Sequence, residues 1–311
     1  MPKISLLLIN YNKEKYLRDA LESVRRQTFR DWECIIVDDG STDDSIKIIK
    51  KYCRHDARFR LISQENAGCQ SARNTAMNEA TAEYVMFLDS DDCMTEDAMS
   101  SLMAAREIYS ADITYGTCRY APDEYKYTGI HAKCLPAEPK LCFFGRRPDF
   151  YKLLDIDMRK FRFCWCWLCL FPRRLLSGLA WNSEIHQNSD AAFMTDVLAR
   201  ADTVAVVDSI IVMHRDSPSS ISRESFNEKS VQWCPRLLRH IRNPLHKIGG
   251  KFETCLHRQI MGMLFHNNLL LPLMTGRYMR ESCRYMQESE LRINHLRLWK
   301  RILIWLFIRA F

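Results

Sequence analysis

Tyr84-Val-Met-Phe-Leu-Asp-Ser-Asp-Asp92 is an apolar run of strand length that ends in a cluster of carboxylates. The run is apolar throughout rather than alternating, which is typical of a strand buried on both faces of a parallel sheet. Oxygen ligands such as those of Asp89 and Asp91 suit Mg²⁺ or Mn²⁺. Because proteins usually hold these ions with one or two carboxylates plus substrate phosphates, the stretch predicts a metal–diphosphate site. The alternative is that the acidic residues only begin the next helix.

Two further strand ends carry polar clusters, Asn10-Tyr11-Asn12 after the first apolar run and Asp38-Asp39 after the second. For an isolated Asp-x-Asp, helix initiation is the better explanation, but the second carboxylate pair shifts the balance towards a site. Ligands of open parallel sheets bind outside the carboxyl ends of the strands. The three strand ends therefore predict one shared ligand site.

The apolar spacing predicts strands and helices in alternation up to about Cys118. The predicted strands are Ile4–Ile9, Trp32–Val37, Phe59–Ile62, Tyr84–Leu88 and Asp112–Cys118, with a later one at Val204–Val212. The predicted helices cover residues 16–24 with Asn12 as N-cap, 45–52, 68–80 and a stretch to about 109 capped by Thr95. This alternation predicts an α/β fold whose central sheet is mostly parallel and flanked by helices. Residues 120–162 show no regular pattern.

The glycine pattern argues against two common nucleotide folds. A dinucleotide-binding fold needs Gly-x-Gly-x-x-Gly after the first strand, where this sequence has Asn10-Tyr-Asn-Lys13. NAD and FAD are therefore not expected. The sequence also contains no Walker A motif.

A series of motifs follows in order along the first 120 residues or so: Ile4–Asn12, Leu21–Thr28, Cys34–Asp43, Gln64–Gly68, Ser71–Asn74 and Tyr84–Asp92. In this order and spacing the chain resembles the family 2 glycosyltransferases, which have the GT-A fold. The resemblance weakens beyond Cys118 and resumes at Trp167–Leu176 and at residues 190–222. It implies a GT-A nucleotide-diphospho-sugar transferase fold.

The resemblance also implies how the nucleotide is held. Asn10, Tyr11 and Asn12 match the first nucleotide-binding loop of the family. Asp39 is expected to accept a hydrogen bond from the base, commonly uracil. Arg73 is expected near the base or the diphosphate.

The metal ligands follow from the same resemblance. Asp89 is expected near the ribose and the metal, Asp91 is the expected ligand of Mn²⁺ or Mg²⁺, and His214-Arg215 matches a segment near the phosphates. His214 is a candidate third metal ligand, and Arg215 a candidate phosphate clamp. The equally weighted alternative is that both only form the polar end of a strand.

The family's general base is an acidic residue of a Glu-Asp pair that opens a late helix. Asp190 occupies that place, with Ser189 instead of Glu. A carboxylate must take the proton of the acceptor hydroxyl as it attacks the anomeric carbon, and the metal neutralises the diphosphate leaving group.

The implied function is an inverting glycosyltransferase of cell-surface polysaccharide biosynthesis. It moves a sugar from a nucleotide-sugar donor, taken as UDP-linked, to a hydroxyl of a glycan or lipid-linked glycan acceptor. The alternative from a different class is a non-catalytic nucleotide-sugar-binding scaffold subunit. Intact Asp89, Asp91 and Asp190 argue against that alternative.

The 13 cysteines are many for a chain of 311 residues, and their number is odd. The apolar run Ile4–Ile9 is too short for a signal peptide, which favours a cytoplasmic location with mostly free, buried thiols. The spacing of Cys164-Trp-Cys-Trp-Leu-Cys169 lacks a second pair nearby. Buried thiols are therefore favoured there over a zinc site.

The charge divides the chain into a catalytic domain at residues 1–224 and a basic helical region at 225–311. The basic region carries 15 Lys or Arg and 5 Asp or Glu, a net +10, whereas residues 1–224 carry 30 and 33, a net −3. We expect a nucleotide-binding part at 1–120 and an acceptor-binding part at 121–224.

The end of the chain, Leu291–Phe311, combines basic residues with Trp and Phe. Its apolar run Ile302–Ile308 is far too short to span a bilayer. Such a stretch favours a helix lying on an anionic membrane surface, at the inner face of the cytoplasmic membrane, over a terminal helix packed on the catalytic domain. Nucleic acid is not expected as a partner, because no reader motif accompanies the basic residues.

Overall fold

The structure is a computed structural model that describes residues 1–129, 139–155, 164–185, 188–215, 217, 236–237, 239–241, 243–244 and 246–249. The strands are β1 Ile4–Asn10, β2 Trp32–Asp38, β3 Phe59–Ser63, β4 Tyr84–Asp89, β5 Cys93–Met94, β6 Ile113–Ala121, β7 Leu141–Arg146, β8 Cys169–Pro172 and β9 Thr203–Arg215. The helices are α1 Glu14–Arg25, α2 Ser45–His55, α3 Cys69–Glu79, α4 Ala98–Tyr109, α5 Arg173–Leu176 and α6 Ser189–Leu198, with 3₁₀ segments at Arg147–Asp155 and Cys166–Leu168.

One half of the sheet is parallel, as the unbroken apolar runs predicted. β1 pairs with β2 on one side and with β4 on the other, and β3 pairs with β2, all in parallel. Every residue of β1 is buried, and β4 is buried from Tyr84 to Leu88. Burying each large apolar side chain contributes about 1.5–3 kcal/mol, so this half-sheet is the main source of core stability.

The other half mixes strand directions. The order across the sheet is β3-β2-β1-β4-β8-β6-β9-β5, and β7 also pairs with β9. β8 runs antiparallel to both β4 and β6, whereas β6 and β9 are parallel. β5 and β7 each run antiparallel to β9. The carboxyl ends of β1, β2 and β4 consequently meet at one edge, with β6 and β9 beyond β4.

Two predicted helix caps are wrong. α1 begins after Lys13 rather than Asn12, and α4 begins after Asp97 rather than Thr95. Asn12 has a φ of 51° and accepts a hydrogen bond from the backbone of the loop after β2. The Thr95 hydroxyl donates to the carbonyl of Ile210 at 2.7 Å. Both side chains therefore bind distant backbone groups, which local sequence cannot reveal.

The segment without a recognisable pattern contains β7 and the 3₁₀ segment Arg147–Asp155. Four of the six residues of β7 are exposed, so it lacks the apolar run or alternation by which a strand is predicted. In the 3₁₀ segment, Phe150 and Leu153 are buried. This part of the chain is thus anchored to the core at a few positions only.

Three described residues of the basic C-terminal region belong to the same core: Leu237, Ile241 and Ile248 are at most 5% exposed. The predicted helices beyond residue 249, including Leu291–Phe311, lie outside the described residues. Within the part of the chain that the structure describes, no helix is both long enough and apolar enough to span a bilayer.

Candidate functional site

The strand register brings the predicted polar clusters together. Asn10 lies opposite Asp38 in the β1–β2 pair, and its neighbour Ile9 lies opposite Asp89 in the β1–β4 pair. Helix α3 begins at the same edge, directly after Gly68. The three strand ends and this helix therefore lie next to one another at one edge of the sheet.

Asn10 and Asp38 are buried and hold the loop that follows β2. The Nδ2 of Asn10 donates to Asp38 Oδ1 at 2.8 Å and to Ser41 Oγ at 3.1 Å. Ser41 donates its hydroxyl to Asp38 Oδ1 at 2.7 Å and its backbone N–H to Oδ2 at 3.0 Å. Asn12 Oδ1 accepts from the backbone N–H of Thr42 at 2.8 Å. Asn10 and Asn12 therefore shape this loop through their side chains.

Asp39 fixes the loop that leads into α3. Its Oδ1 accepts from Gln64 Nε2 at 2.7 Å and from the Ala67 backbone N–H at 2.9 Å. Its Oδ2 accepts from the Gly68 N–H at 2.9 Å. A carboxylate can accept about four hydrogen bonds, so one further acceptor position remains for a ligand. Gly68 has a φ of 90°, which lets the backbone turn towards the carboxylate.

Arg73 joins the two ends of the site. Its Nη1 donates to Asp190 Oδ1 at 2.9 Å and its Nη2 donates to Asp89 Oδ1 at 3.1 Å. The Arg73 side chain is only 9% exposed, compared with 22% for Asp190 and 38% for Asp89. Its guanidinium lies 4.4 Å from the centroid of the Trp181 ring. The predicted base on α6 and the first carboxylate after β4 are thus held by one buried cation.

The charges of this triad perturb one another. Burial raises the pKa of Asp190, the attraction of Arg73 lowers it, and repulsion from Asp89 raises it, with a net upward shift. Burial also opposes the charge of Arg73, but the attraction of Asp190 and Asp89 outweighs it, so the pKa of Arg73 lies above its usual value. Asp190 is consequently more basic than an ordinary aspartate, as a proton acceptor should be.

Asp91, the predicted metal ligand, already contacts a cation. The Nζ of Lys13 lies 2.8 Å from Asp91 Oδ2, and the Ser217 hydroxyl donates to the same oxygen at 2.9 Å. The Asp91 side chain is 14% exposed. The surroundings of this carboxylate therefore accommodate a positive charge.

His214 turns towards Asp92 rather than Asp91. Its Nδ1 lies 3.1 and 3.0 Å from the two carboxylate oxygens of Asp92, a buried residue that also accepts from the Arg215 backbone N–H at 2.8 Å. Burial raises the pKa of Asp92 to about 6 although His214 lowers it. Burial lowers the pKa of His214, but the contact with Asp92 outweighs it, and the net shift is upward. Asp92 thus orients the imidazole.

The Arg215 guanidinium is buried and is engaged by residues of α1 and of the segment after β6. Its Nη2 contacts Asp19 Oδ2 at 3.1 Å and the Tyr125 carbonyl at 2.8 Å, and the group lies 4.8 Å from the Tyr16 ring centroid. These contacts engage the guanidinium in a structural ion pair. They support the alternative in which Arg215 forms the polar end of a strand.

The residues fit a divalent cation that the diphosphate would help to hold. Among the described residues there is no group of three or more His, Cys, Asp or Glu side chains that could bind a metal alone. Asp89 and Asp91 nevertheless supply two carboxylates, the number with which proteins usually hold Mg²⁺ beside substrate phosphates. Mn²⁺ prefers the same oxygen ligands.

A model of the family described as glycosyl transferase family 2 matches residues 5–179, more than half of the chain. The chain belongs to this family. A glycosyltransferase of Haemophilus influenzae described as uncharacterized is 40% identical to it over 238 residues, which cover 75% of this chain and 86% of that protein. Another family member described as an uncharacterized glycosyltransferase, EpsJ of Bacillus subtilis, is 29% identical over 225 residues, 71% of this chain. The alignment spans 63% of the length of EpsJ.

Solved structures similar to this family 2 glycosyltransferase have the same architecture. Residues 1–349 of S. aureus TarS in complex with UDP-GlcNAc superpose with a TM-score of 0.73 at 17% identity, covering 99% of this chain and 90% of that one. The mannosyltransferase PcManGT from Pyrobaculum calidifontis, in complex with GDP-Man and Mn²⁺, superposes with a TM-score of 0.55 at 17% identity, covering 99% and 85%. The predicted GT-A fold is therefore confirmed, with its mostly parallel sheet flanked by helices.

Several site residues of this family 2 glycosyltransferase were not predicted from its sequence. Asn74 holds the backbone of Trp181 by two hydrogen bonds, at 3.0 Å to its carbonyl and 2.7 Å from its N–H. Trp181 stacks on Phe193 of α6 at 4.2 Å between ring centroids. Asn74 lies in a quoted family motif, but its partner lies over a hundred residues away, so its role could not be derived locally. The Lys13–Asp91 ion pair was missed for the same reason.

The cysteine-rich stretch of the family 2 glycosyltransferase is part of the core. Cys166 and Cys169 are fully buried, and burial raises the pKa of both thiols. Cys164 is partly exposed. Buried neutral thiols with raised pKa values are poor metal ligands, which supports the interpretation favoured from the sequence.

Proposed function

We propose that this protein is an inverting glycosyltransferase that moves a sugar from a UDP-linked donor to a hydroxyl of a glycan or lipid-linked glycan. The observation that carries the proposal is the bridge from Arg73 to Asp89 and Asp190. This bridge connects Asp89, a proposed ligand of the metal–diphosphate site, with Asp190, the proposed base. TarS, a structure of the same fold, is recorded in complexes with UDP-GlcNAc and with UDP, which supports a UDP-linked donor here.

The nucleotide would lie across the ends of β1 and β2. The Asp39 carboxylate already accepts three hydrogen bonds and can accept about one more. An N–H group of the nucleobase can donate this fourth hydrogen bond. Tyr11 is 46% exposed and offers an aromatic surface to the ligand. Asn10, which is buried, and Asn12, which is exposed, would act by shaping the loop that follows β2.

Asp89 and Asp91 would hold Mn²⁺ or Mg²⁺, which neutralises the charge that develops on the leaving diphosphate. Lys13 contacts Asp91 and would lie next to the same phosphates. His214 is oriented by Asp92 through Nδ1 and is kept as a candidate third ligand. Side-chain cations on this edge would bind and orient the anionic donor.

Asp190 would accept the proton of the acceptor hydroxyl as the oxygen attacks the anomeric carbon. Its raised pKa makes it a stronger base, while Arg73 keeps it ionised and fixes one of its oxygens. A direct displacement inverts the anomeric configuration and needs no covalent sugar intermediate. Thus a single carboxylate suffices, although the family's Glu is replaced by Ser189.

The test compares Asp190→Asn with the wild-type chain and with Asp202→Asn, a control at an 83% exposed surface aspartate. UDP-linked sugars are supplied with Mn²⁺, and UDP release is measured with water and with glycan acceptors. We expect Asp190→Asn to lower turnover at least about 100-fold, the usual contribution of general base catalysis, with unchanged UDP binding by calorimetry. Unchanged turnover would contradict the assignment of Asp190.

Calorimetry with UDP, GDP, dTDP and CMP, with and without Mn²⁺, tests the donor assignment. We expect metal-dependent binding of UDP that Asp91→Ala abolishes. If none of the four nucleotides binds in a metal-dependent way, the metal–diphosphate site is wrong. Binding without any turnover, including transfer to water, would instead favour the scaffold subunit.

The role in cell-surface polysaccharide synthesis and the membrane contact belong to the same proposal. The membrane contact is supported by the net +10 of residues 225–311, which lie mostly outside the described part of the chain. The role in cell-surface polysaccharide synthesis is supported by the family to which the chain belongs. Co-sedimentation with vesicles tests the contact. We expect binding to vesicles with anionic lipid that falls as salt rises, and no binding to zwitterionic vesicles.

A further inference from the structure

Four rings cluster beyond β4, on the side of the site away from the nucleotide loops. We call Tyr120, Trp165, Trp167 and His214 the aromatic wall. Trp167 stacks on Trp165 at 4.8 Å and on His214 at 5.0 Å between ring centroids, with interplanar angles of 22° in both pairs. Tyr120 meets His214 edge-on at 5.5 Å and Trp165 at 6.4 Å. The function proposed above assigns no role to Tyr120, Trp165 or Trp167.

The aromatic wall has a buried base and an accessible edge. Trp167 is 4% exposed, and His214 is fixed by both carboxylate oxygens of the buried Asp92. Tyr120 is 51% exposed, and Trp165 is partly exposed. The rings are therefore held in place from behind, which reduces the entropy that a ligand would lose by ordering them.

The aromatic wall lies between the two chemically active ends of the site. The 3₁₀ segment Cys166–Leu168, directly after Trp165, packs against α6, the helix that carries Asp190, and against β4, which ends in Asp89. At the other end, His214 contacts Asp92, the neighbour of Asp91. A molecule resting on the wall would thus have one edge near the proposed base.

We propose that Tyr120 and Trp165 form the platform for the sugar ring of the acceptor, which makes the acceptor's reactive unit a pyranose. One face of a pyranose presents C–H groups that pack on aromatic rings, while its edges present hydroxyls. A wall of rings bordered by carboxylates matches both surfaces. This inference rests on the proposed function, and it assigns the acceptor class that the function left open.

The sheet order separates this platform from the donor site. The nucleotide is assigned to β1, β2 and β4, whereas Tyr120 lies on β6, His214 on β9 and Trp165 just before β8. In the sheet these strands follow β4 on the side away from β1. The diphosphate carboxylates after β4 therefore lie between the two halves, and a sugar acceptor would approach from the β6–β9 half.

The test uses saturation-transfer NMR with the methyl β-glycosides of glucose, galactose and N-acetylglucosamine, in the presence of UDP and Mn²⁺. We expect the ring C–H protons of at least one glycoside to be saturated by the wild-type chain. Trp165→Ala and Tyr120→Ala should each weaken its affinity about tenfold, comparable to the loss of one aromatic stacking contact. Trp165→Phe should restore most of it, because a flat ring is retained.

Phe144→Ala is the matched control, since Phe144 is a 42% exposed aromatic residue on β7 that is not assigned to the site. It should bind the glycoside like the wild type. Phe144→Ala should also leave the transfer of sugar to water unchanged. UDP affinity should be unchanged in all four variants, because UDP is assigned to β1, β2 and β4.

Three results would overturn the platform. One is that no glycoside binds the wild type while UDP does, and another is that Trp165→Ala binds the glycoside as well as the wild type. The third is that Trp165→Ala weakens the UDP-sugar but not UDP, which would place the donor sugar on the rings. All three leave the donor site intact, whereas loss of metal-dependent UDP binding in the wild type would remove the proposed function and the platform together.

Discussion

Arg73 is the residue on which both ends of the site depend. Its nearly buried guanidinium satisfies Asp89 on β4 and Asp190 on α6, and it lies against the ring of Trp181. Without this cation, two carboxylates would face each other with only partial access to water. The sequence placed Arg73 in a family motif near the nucleotide. Its contact with Asp190 could not be predicted, because only the fold brings α3 and α6 together.

The pH dependence of the rate should report the charge on Asp190. Burial raises the pKa of Asp190 above its ordinary value of 3.8, and Arg73 limits the rise. Because a general base must be ionised, kcat/KM should fall on the acid side around this raised pKa. In Arg73→Met the attraction that lowers the pKa of Asp190 is lost. The fall of kcat/KM on the acid side should therefore shift further towards neutral pH. Nucleotide release measured across the pH range checks this.

Arg147→Met is the control for that profile, since Arg147 forms a surface ion pair with Asp202. In this variant kcat/KM should fall on the acid side at the same pH as in the wild type. An acid-side fall that does not move in Arg73→Met would show that Asp190 is not the titrating base.

Replacing one oxygen of the Asp39 carboxylate should affect both the stability of the protein and the binding of UDP. In Asp39→Asn, an NH₂ group replaces one of the oxygens that accept hydrogen bonds from Gln64, Ala67 and Gly68. We expect a loss of about 1–3 kcal/mol in the free energy of unfolding, the cost of leaving buried donors unpaired, and weaker UDP binding. Urea denaturation and calorimetry measure the two effects.

Asp44→Asn is the matched control for Asp39, because Asp44 is 63% exposed and pairs only with Lys47 in the described contacts. Its stability should change by less than about 0.5 kcal/mol. Equal stability of the two variants would mean that Asp39 does not fix the loop into α3.

At the scale of elements, the parallel half-sheet was predictable, whereas in the mixed half only β6 and β9 were predicted. β1, β2 and β4 are buried, apolar and followed by turn residues, so their pattern is local. β5 has two residues and β8 has four, too few for any periodicity. β7 is mostly exposed and is defined by pairing with the distant β9. The strands to which the donor is assigned were therefore predicted in outline, whereas β5, β7 and β8 were not.

The turn after β2 should tolerate no side chain at Gly40. Gly40 and Gly178 both have a positive φ, of 76° and 68°. A Cβ at Gly40 would lie 2.8 Å from the backbone N of Asn66, whereas one at Gly178 would have no atom within 4 Å. Gly178→Ala should cost about 1–2 kcal/mol from backbone strain alone. Gly40→Ala should cost more and also weaken UDP binding, because the displaced loop carries Asp39's partners.

Urea denaturation of both glycine variants, with UDP calorimetry on each, distinguishes strain from crowding. Equal losses of stability would argue that the approach of Gly40 to Asn66 has no energetic importance.

At the scale of the whole molecule, the packing around the helix that carries Asp190 reaches the C-terminal region. Phe193 of α6 stacks on Trp181, which also contacts Phe87 of β4. On the same helix, Asp196 contacts His240 at 2.7 Å. The sequence divided the chain at residue 224 by charge, but charge does not indicate which residues complete a core. The helix that carries Asp190 is in contact with both sides of that division.

Residues beyond 224 should therefore support catalysis without touching the nucleotide. Ile241 is 1% exposed and adjoins His240, so Ile241→Ala should remove about 2–5 kcal/mol of stability by leaving a cavity. Ile108 is 50% exposed, and Ile108→Ala should change stability by less than about 0.5 kcal/mol. Because UDP is assigned to β1, β2 and β4, its affinity should be unchanged in Ile241→Ala, while kcat falls as α6 loosens. Urea denaturation, UDP calorimetry and nucleotide release measure these three quantities. If Ile241→Ala weakens UDP binding as much as it lowers kcat, the C-terminal region supports the whole fold rather than the base.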